Sequence, residues 1–146
     1  MSYTIYLSGE IHSDWREKIK QGISENQLDI EVLTPITDHD SSDNIGSSIL
    51  GEESNNFWKD HKSAKINALR TNNYISRSDI VVVRFGDKYK QWNAAFDAGI
   101  ATGLGIPTII MHSPELTHPL KEVDAAALAV TETPQQVVEI LKYICQ

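Results

Sequence analysis

Cysteine is nearly absent. Cys145 is the single one in 146 residues, and it stands one position from the end. An intrachain disulfide is excluded, and a thiol so close to the terminus is not read as a nucleophile. Basic residues are in deficit, 13 Lys and Arg against 20 Asp and Glu, for a formal charge of −7. That balance argues against non-specific nucleic-acid binding and against an anionic membrane surface. No apolar run approaches the ~18 residues of a membrane helix. Met1-Ser2-Tyr3-Thr4-Ile5-Tyr6 places no basic stretch before an apolar one, so a reducing cytoplasm is the expected setting. There is no HExxH, no CxxC and no Walker A pattern. Gly99, Gly103 and Gly105 lie at the wrong end of their unit for a dinucleotide fingerprint. Neither a tightly bound metal nor a cofactor is expected. What remains is an ordinary globular composition, 40% hydrophobic and 23% charged. It suits a single domain over residues 1–146 with a real core.

The organising stretch runs from Asp79 to Met111. Ile80-Val81-Val82-Val83 is a β-branched run without alternation, as in a strand buried on both faces. Phe96, Ile100 and Leu104 recur every fourth residue, predicting a helix with one apolar stripe. Ile106 to Met111 is a second short apolar run. Strand, helix and strand in about thirty residues make a βαβ unit and imply a parallel sheet. Ligands of such sheets sit beyond the carboxyl ends of the strands, where Gly86 to Asp97 falls.

The other elements follow in order. Tyr3 to Ser8 reads as the first strand, and Gly9 marks a sharp turn. Ser13 is the expected cap of a helix that buries Trp15, Ile19 and Ile23 and ends near Asn26. Asp29 to Leu33 is a short second strand. Thr34 to Asn56 reads as a long polar loop, either a solvated acidic segment or a lid. Its Asp38-His39-Asp40 resembles a hard-metal cluster without fixed ligand spacing. Phe57 to Ser76 reads as helix, broken near Lys62, with Ile66, Leu69 and Tyr74 packing. A short helix from about Leu120 leads to a fifth strand at Ala127–Val130. Thr133, Pro134 and Gln136 give the last helix its cap, first position and capping box. Val137, Val138, Leu141 and Ile144 give it a buried face. Five strands alternating with helices predict an α/β fold. It is a three-layer, five-stranded parallel sheet of flavodoxin-like type, ordered 2-1-3-4-5. The switch point then lies between the first and third strands. Gly9 and Glu10 line one side of it, and Phe85, Gly86 and Asp87 the other.

Several residues there can carry chemistry. Asp97 is either an acid favoured by a helix N-terminus or a carboxylate held at the crevice as a nucleophile toward an electrophilic sugar carbon, on a helix whose Ala94, Ala95, Ala98, Gly99, Ala101 and Gly103 let it pack tightly on the sheet. Arg84 interrupts an apolar strand, and pairs with a structural carboxylate or with an anionic ligand group. Trp92 can stack on a planar base. Asn93 can bond that base's edge or cap the helix. Asp87 is a turn residue or exchanges protons with a ligand. Asp79, at the opposite strand end, is structural.

Tyr3 to Gly9 resembles the opening strand and glycine of nucleoside 2-deoxyribosyltransferases. Ser78 to Val83 is similar to their central strand, and Phe96 to Pro107 to their catalytic helix and following strand. Arg84-Phe85-Gly86-Asp87 with Gln91 to Gly99 resembles more specifically the bacterial YtoQ-type proteins of that superfamily. In the transferases a helix glutamate attacks C1′ and releases the base. The resemblance puts Asp97 in that role and Tyr6 as the group that orients it, with direct or water-bridged contact expected between the two. It implies a small-molecule nucleoside or nucleotide as substrate, and a homo-oligomer in which a neighbouring subunit completes each site. Two family acids lack clear matches, one around Thr71–Asn73 and one near Gln91. Transfer, hydrolysis of an N-glycosidic bond, and non-catalytic binding or sensing of a nucleotide-like ligand stay open.

Overall fold

A computed structural model describes residues 2–146. Two compact units are resolved, Met1–Thr34 with Ile75–Gln146, and Pro35–Tyr74.

The first unit holds a five-stranded sheet of order β2-β1-β3-β4-β5, every pair parallel. The strands are β1 (Tyr3–Gly9), β2 (Ile30–Leu33), β3 (Ile80–Arg84), β4 (Thr108–Met111) and β5 (Ala129–Thr131). The expected order is the observed one, and the fold is flavodoxin-like α/β. Helix α1 (Trp15–Glu25) and helix α6 (Pro134–Ile144) cover one face. There Trp15, Ile19, Ile23, Val137, Val138 and Leu141 meet Ile5, Leu7, Ile80, Val82, Ile109 and Met111. Helix α4 (Trp92–Gly103) lies on the other face, over β1, β3 and β4. Period-two alternation divides β1 accordingly: Ile5 and Leu7 join the α1–α6 core, while Tyr6 and Ser8 face α4.

Thr133 caps α6 as expected. Its hydroxyl accepts the Gln136 N–H at 3.2 Å, and the Gln136 side chain returns to the Thr133 N–H at 3.2 Å. Asp79 accepts the Thr4 N–H at 2.7 Å and so ties the amino ends of β1 and β3 together.

Four expectations are corrected. Ser13 does not cap α1; its hydroxyl goes to Glu10 and Asp14 occupies the cap position. The α4 stripe is reversed. Ala94, Ala98 and Ala101 are buried, while Phe96 is 70% exposed and Leu104 lies open as well. Alanines let the helix backbone approach the sheet, and the large side chains have no room beneath it.

The other two corrections concern the second unit. The polar stretch expected as loop contains helix α2 (His39–Leu50), and helix α3 (Asn56–Ser76) is continuous through Lys62. Asp38 is the cap of α2, accepting the Ser41 N–H at 3.2 Å, and that contact with the Ser41 hydroxyl lowers its pKa. Polar bonds hold the pair: Ser63 donates to the Asp43 carbonyl at 2.6 Å, and Asn67 to the Ser42 carbonyl at 3.1 Å. Gly46 allows the close approach, since a Cβ there would stand 2.5 Å from the Ser63 nitrogen. Lys62 bonds Glu53 at 2.7 Å instead of breaking the helix, and Leu69 is exposed.

Candidate functional site

The carboxyl ends of β1 and β3 run side by side, with Ser8 opposite Val83 and Gly9 opposite Arg84. Gly9 adopts φ +107°, and a Cβ there would fall 2.1 Å from the Arg84 carbonyl oxygen. No other residue fits this crossing. Gly86 has the matching role on the facing loop, where a Cβ would stand 2.6 Å from Glu10 Cγ. The β1–α1 and β3–α4 loops meet above, with the His12 and Tyr89 rings 4.8 Å apart.

Arg16, buried on α1, makes this end of β1 rigid. Its Nε donates to the Leu7 carbonyl at 3.0 Å, and its two terminal nitrogens to the Gly9 and Glu10 carbonyls at 3.0 and 2.6 Å. Burial lowers its pKa to about 10, against the raising influence of Tyr6, Glu10 and Glu17. The guanidinium thus compensates strand-end carbonyls that would otherwise be buried without donors. Nothing in the sequence spacing distinguishes Arg16 from a surface residue.

Asp97 lies on the sheet side of α4, in the same stripe as Ala94, Ala98 and Ala101. Its Oδ2 accepts the Ser8 hydroxyl at 2.6 Å. That length suits a bond to an ionised carboxylate. Burial raises the Asp97 pKa, and the Ser8 bond opposes the rise. A partly buried carboxylate with one short donor, on a rigid strand end, is an oriented nucleophile or acceptor. Tyr6 is 1% exposed and stands two residues before Ser8 on the same face. Ser8, like Arg16, is a site residue that no motif in the sequence singles out. The alternation of Thr4, Tyr6 and Ser8 on one face was the available signal.

Glu10 is only 7% exposed and serves the loop: it accepts the His12 N–H and, at 2.5 Å, the Ser13 hydroxyl. Arg84 continues the Ile80–Val82 face, with Nε 3.7 Å from Glu10 Oε2 and no hydrogen bond at that nitrogen. Its side chain is 24% exposed. Asp87 accepts the Ser113 hydroxyl at 2.5 Å, which joins the β3–α4 loop to the segment after β4. The Gln91 side chain accepts the Gly86 N–H at 2.9 Å and does not cap α4. Trp92 and Asn93 are exposed on the outer side of the first turn, Trp92 at 73% with the Lys90 ammonium 5.5 Å from its ring. These residues share the carboxyl ends of β1 and β3: Ser8 and Asp97 on the α4 face, Arg84 on the α1–α6 face, and Gly9, Glu10 and Gly86 at the crossing between them. Trp92 and Asn93 stay at the outer rim.

Among the described residues no group of three or more His, Cys, Asp or Glu is arranged to hold a metal ion. Among them, too, no helix is long and apolar enough to cross a membrane. A cavity of about 390 Å³ between α4 and helix α5 (Lys121–Ala126) is lined by Ala95, Ala98, Gly99, Thr108 and Val123 and does not include Asp97.

The family model for nucleoside 2-deoxyribosyltransferase YtoQ matches residues 6–145. The chain belongs to the YtoQ family. The uncharacterized protein YtoQ of Bacillus subtilis strain 168 is 44% identical over 144 residues, covering 99% of this chain and 97% of that one. Among solved structures, a conserved protein of Enterococcus faecalis V583 superposes with TM-score 0.64 at 14% identity over 99% of both chains. A 2-deoxyribosyltransferase of Bacillus psychrosaccharolyticus gives TM-score 0.58 at 17% identity over 92% of this chain and 90% of that one. At such identities the structural likeness concerns the fold. Membership of the YtoQ family rests on the sequence match.

Proposed function

We propose that the chain cleaves or transfers at the N-glycosidic bond of a nucleoside or nucleotide, with Asp97 as nucleophile. The observation that carries the reading is the buried Asp97 carboxylate held by Ser8 over the switch point of the sheet. Ligands of open parallel sheets bind at that place. In the first step an Asp97 oxygen attacks C1′ and forms an ester. The C1′–N bond breaks, its electron pair passes to the base, and the base takes the proton of the Asp87 carboxyl group. Asp87 is the acid assigned to that base, with Asn93 and Trp92 at its edge and face. In the second step water or another base attacks C1′, gives a proton to the Asp87 carboxylate, and the C1′–O bond to Asp97 breaks to return its carboxylate. Two displacements give net retention. Ser8 holds the attacking oxygen, and Tyr6 flanks it on the same face.

Aspartate is one methylene shorter than the glutamate of the resembling transferases. Close packing of α4 through Ala94, Ala98 and Ala101 supports the assignment, since it brings the backbone nearer the crevice. Arg84, loosely paired and without a hydrogen bond at Nε, is suited to a substrate phosphate or another anionic group. The exposed Trp92, Phe96 and Leu104 along α4 support a homo-oligomer that covers this face.

The raised Asp97 pKa is also compatible with a pocket that binds a nucleotide-like ligand without turnover. Incubation with deoxynucleosides, ribonucleosides, their monophosphates and free bases, followed by chromatography, separates the two readings. Released or exchanged base is the expected result. Binding by calorimetry with no base released from any of them would establish the sensing reading instead.

A further inference from the structure

His112 follows β4 and is 4% exposed, deeper than any other part of the segment it opens. Both ring nitrogens face oxygen acceptors. Nδ1 stands 2.6 Å from the Ser113 carbonyl, and Nε2 stands 2.8 Å from Asp124 Oδ2 on α5. A carbonyl only accepts, so Nδ1 carries a proton. With Asp124 ionised, Nε2 carries one too. Burial works against the charge. The bonds to Ser113 and Asp124, with the charges of Asp124 and Glu132, nevertheless hold the pKa above the ordinary imidazole value. Asp124 Oδ1 has no hydrogen-bond partner. An incompletely satisfied ion pair is a poor device for stability alone. Its geometry does something else. The carbonyl it grips belongs to the residue whose hydroxyl grips Asp87.

We propose that His112, Asp124 and Ser113 form a positioning chain for Asp87. Asp124 orients the His112 ring, His112 fixes the Ser113 backbone, and the Ser113 hydroxyl holds Asp87 at the rim of the crevice. The inference rests on the N-glycoside reading for the work Asp87 does, but the chain itself is a property of the fold. The groups facing His112 are Asp124 from α5, Glu132 after β5, and the Ser113 carbonyl, with Asp87 one bond further on. Discharge of the ring leaves a lone pair on Nε2 facing the Asp124 carboxylate. The ring then turns or shifts, and Ser113 loosens its hold.

NMR tests the chain without any turnover, and kinetics test its use. The His112 ring nitrogens and the Asp87 carboxyl carbon are followed through a pH titration of the wild-type protein and of Ser113→Ala. The expected result is a step in the Asp87 signal at the pH where His112 titrates, lost in Ser113→Ala although His112 still titrates. No such step in the wild type, or its persistence in Ser113→Ala, overturns the proposal. For base release, Ser113→Ala is expected to lower kcat about tenfold with KM little changed, as for a misplaced reacting group. Ser113→Thr restores it, and adding Ser113→Ala to Asp87→Asn costs nothing more. Full additivity of the two losses also overturns the proposal. Coupled titration with no base release from any variant would instead count against the N-glycoside reading alone.

Discussion

Ser8→Ala is the perturbation whose consequences follow most closely from the geometry. The hydroxyl donates to Asp97 at 2.6 Å, and the carboxylate is partly buried. A hydrogen bond to a charged group contributes about 1.5–3 kcal/mol, and one to a neutral group about 1 kcal/mol. Burial already raises the Asp97 pKa, and Ser8 opposes that rise. Its removal therefore raises the value further. For catalysis the ionised form is needed, so the acid limb of kcat/KM moves to higher pH in the variant. If the same 1.5–3 kcal/mol is lost from the transition state, the rate on the pH plateau falls by roughly 10-fold to 150-fold. For stability the sign runs the same way. A raised folded-state value favours the protonated fold. The stability it contributes is complete below the ordinary carboxylate range and is lost as pH rises through the raised value. Ser8→Ala sharpens that loss. Urea denaturation should show a deficit of about 1.5–3 kcal/mol at neutral pH, shrinking toward 1 kcal/mol in acid where Asp97 is neutral. An equal deficit at both pH values, with an unmoved acid limb, would refute the assignment of Ser8 to the charged carboxylate.

Other consequences are measurable in the same preparations. Gly9→Ala should destabilise by about 2–4 kcal/mol in urea, because the added Cβ meets the Arg84 carbonyl in a left-handed backbone. Thr133→Ala should cost about 1 kcal/mol through loss of the α6 capping box, read as a lower denaturation midpoint. Arg84→Gln should raise KM for nucleoside monophosphates and leave nucleosides unaffected; equal effects on both would remove the phosphate assignment. Light scattering should give a multiple of the 16.3 kDa chain mass, reduced by Phe96→Ser if α4 forms the contact.

The sheet was legible because its information is local. The β-branched run at Ile80–Val83, the glycine after β1 and the Thr133-Pro134 start of α6 each dictate one conformation. Their order then fixes the parallel topology. Helix α2 was not legible, since its stripe is serine and glycine held by polar bonds from Ser63 and Asn67. The face of α4 offered two patterns, and the small-residue one is the face that packs. Large apolar residues repeat every fourth position, but alanines pack on the sheet and Phe96 points outward. Asp97 was found because it falls in a motif. Ser8, Arg16 and Ser113 were not, because their partners lie on other elements, or many residues away, and only the folded register brings them together.

The most direct measurement is mass spectrometry of the protein quenched in acid during turnover of a deoxynucleoside. The expected result is a glycosyl adduct on the peptide containing Asp97, absent from Asp97→Asn, which folds normally and releases no base. Base release by Asp97→Asn at the wild-type rate, or an adduct on a different residue, would contradict the role of Asp97.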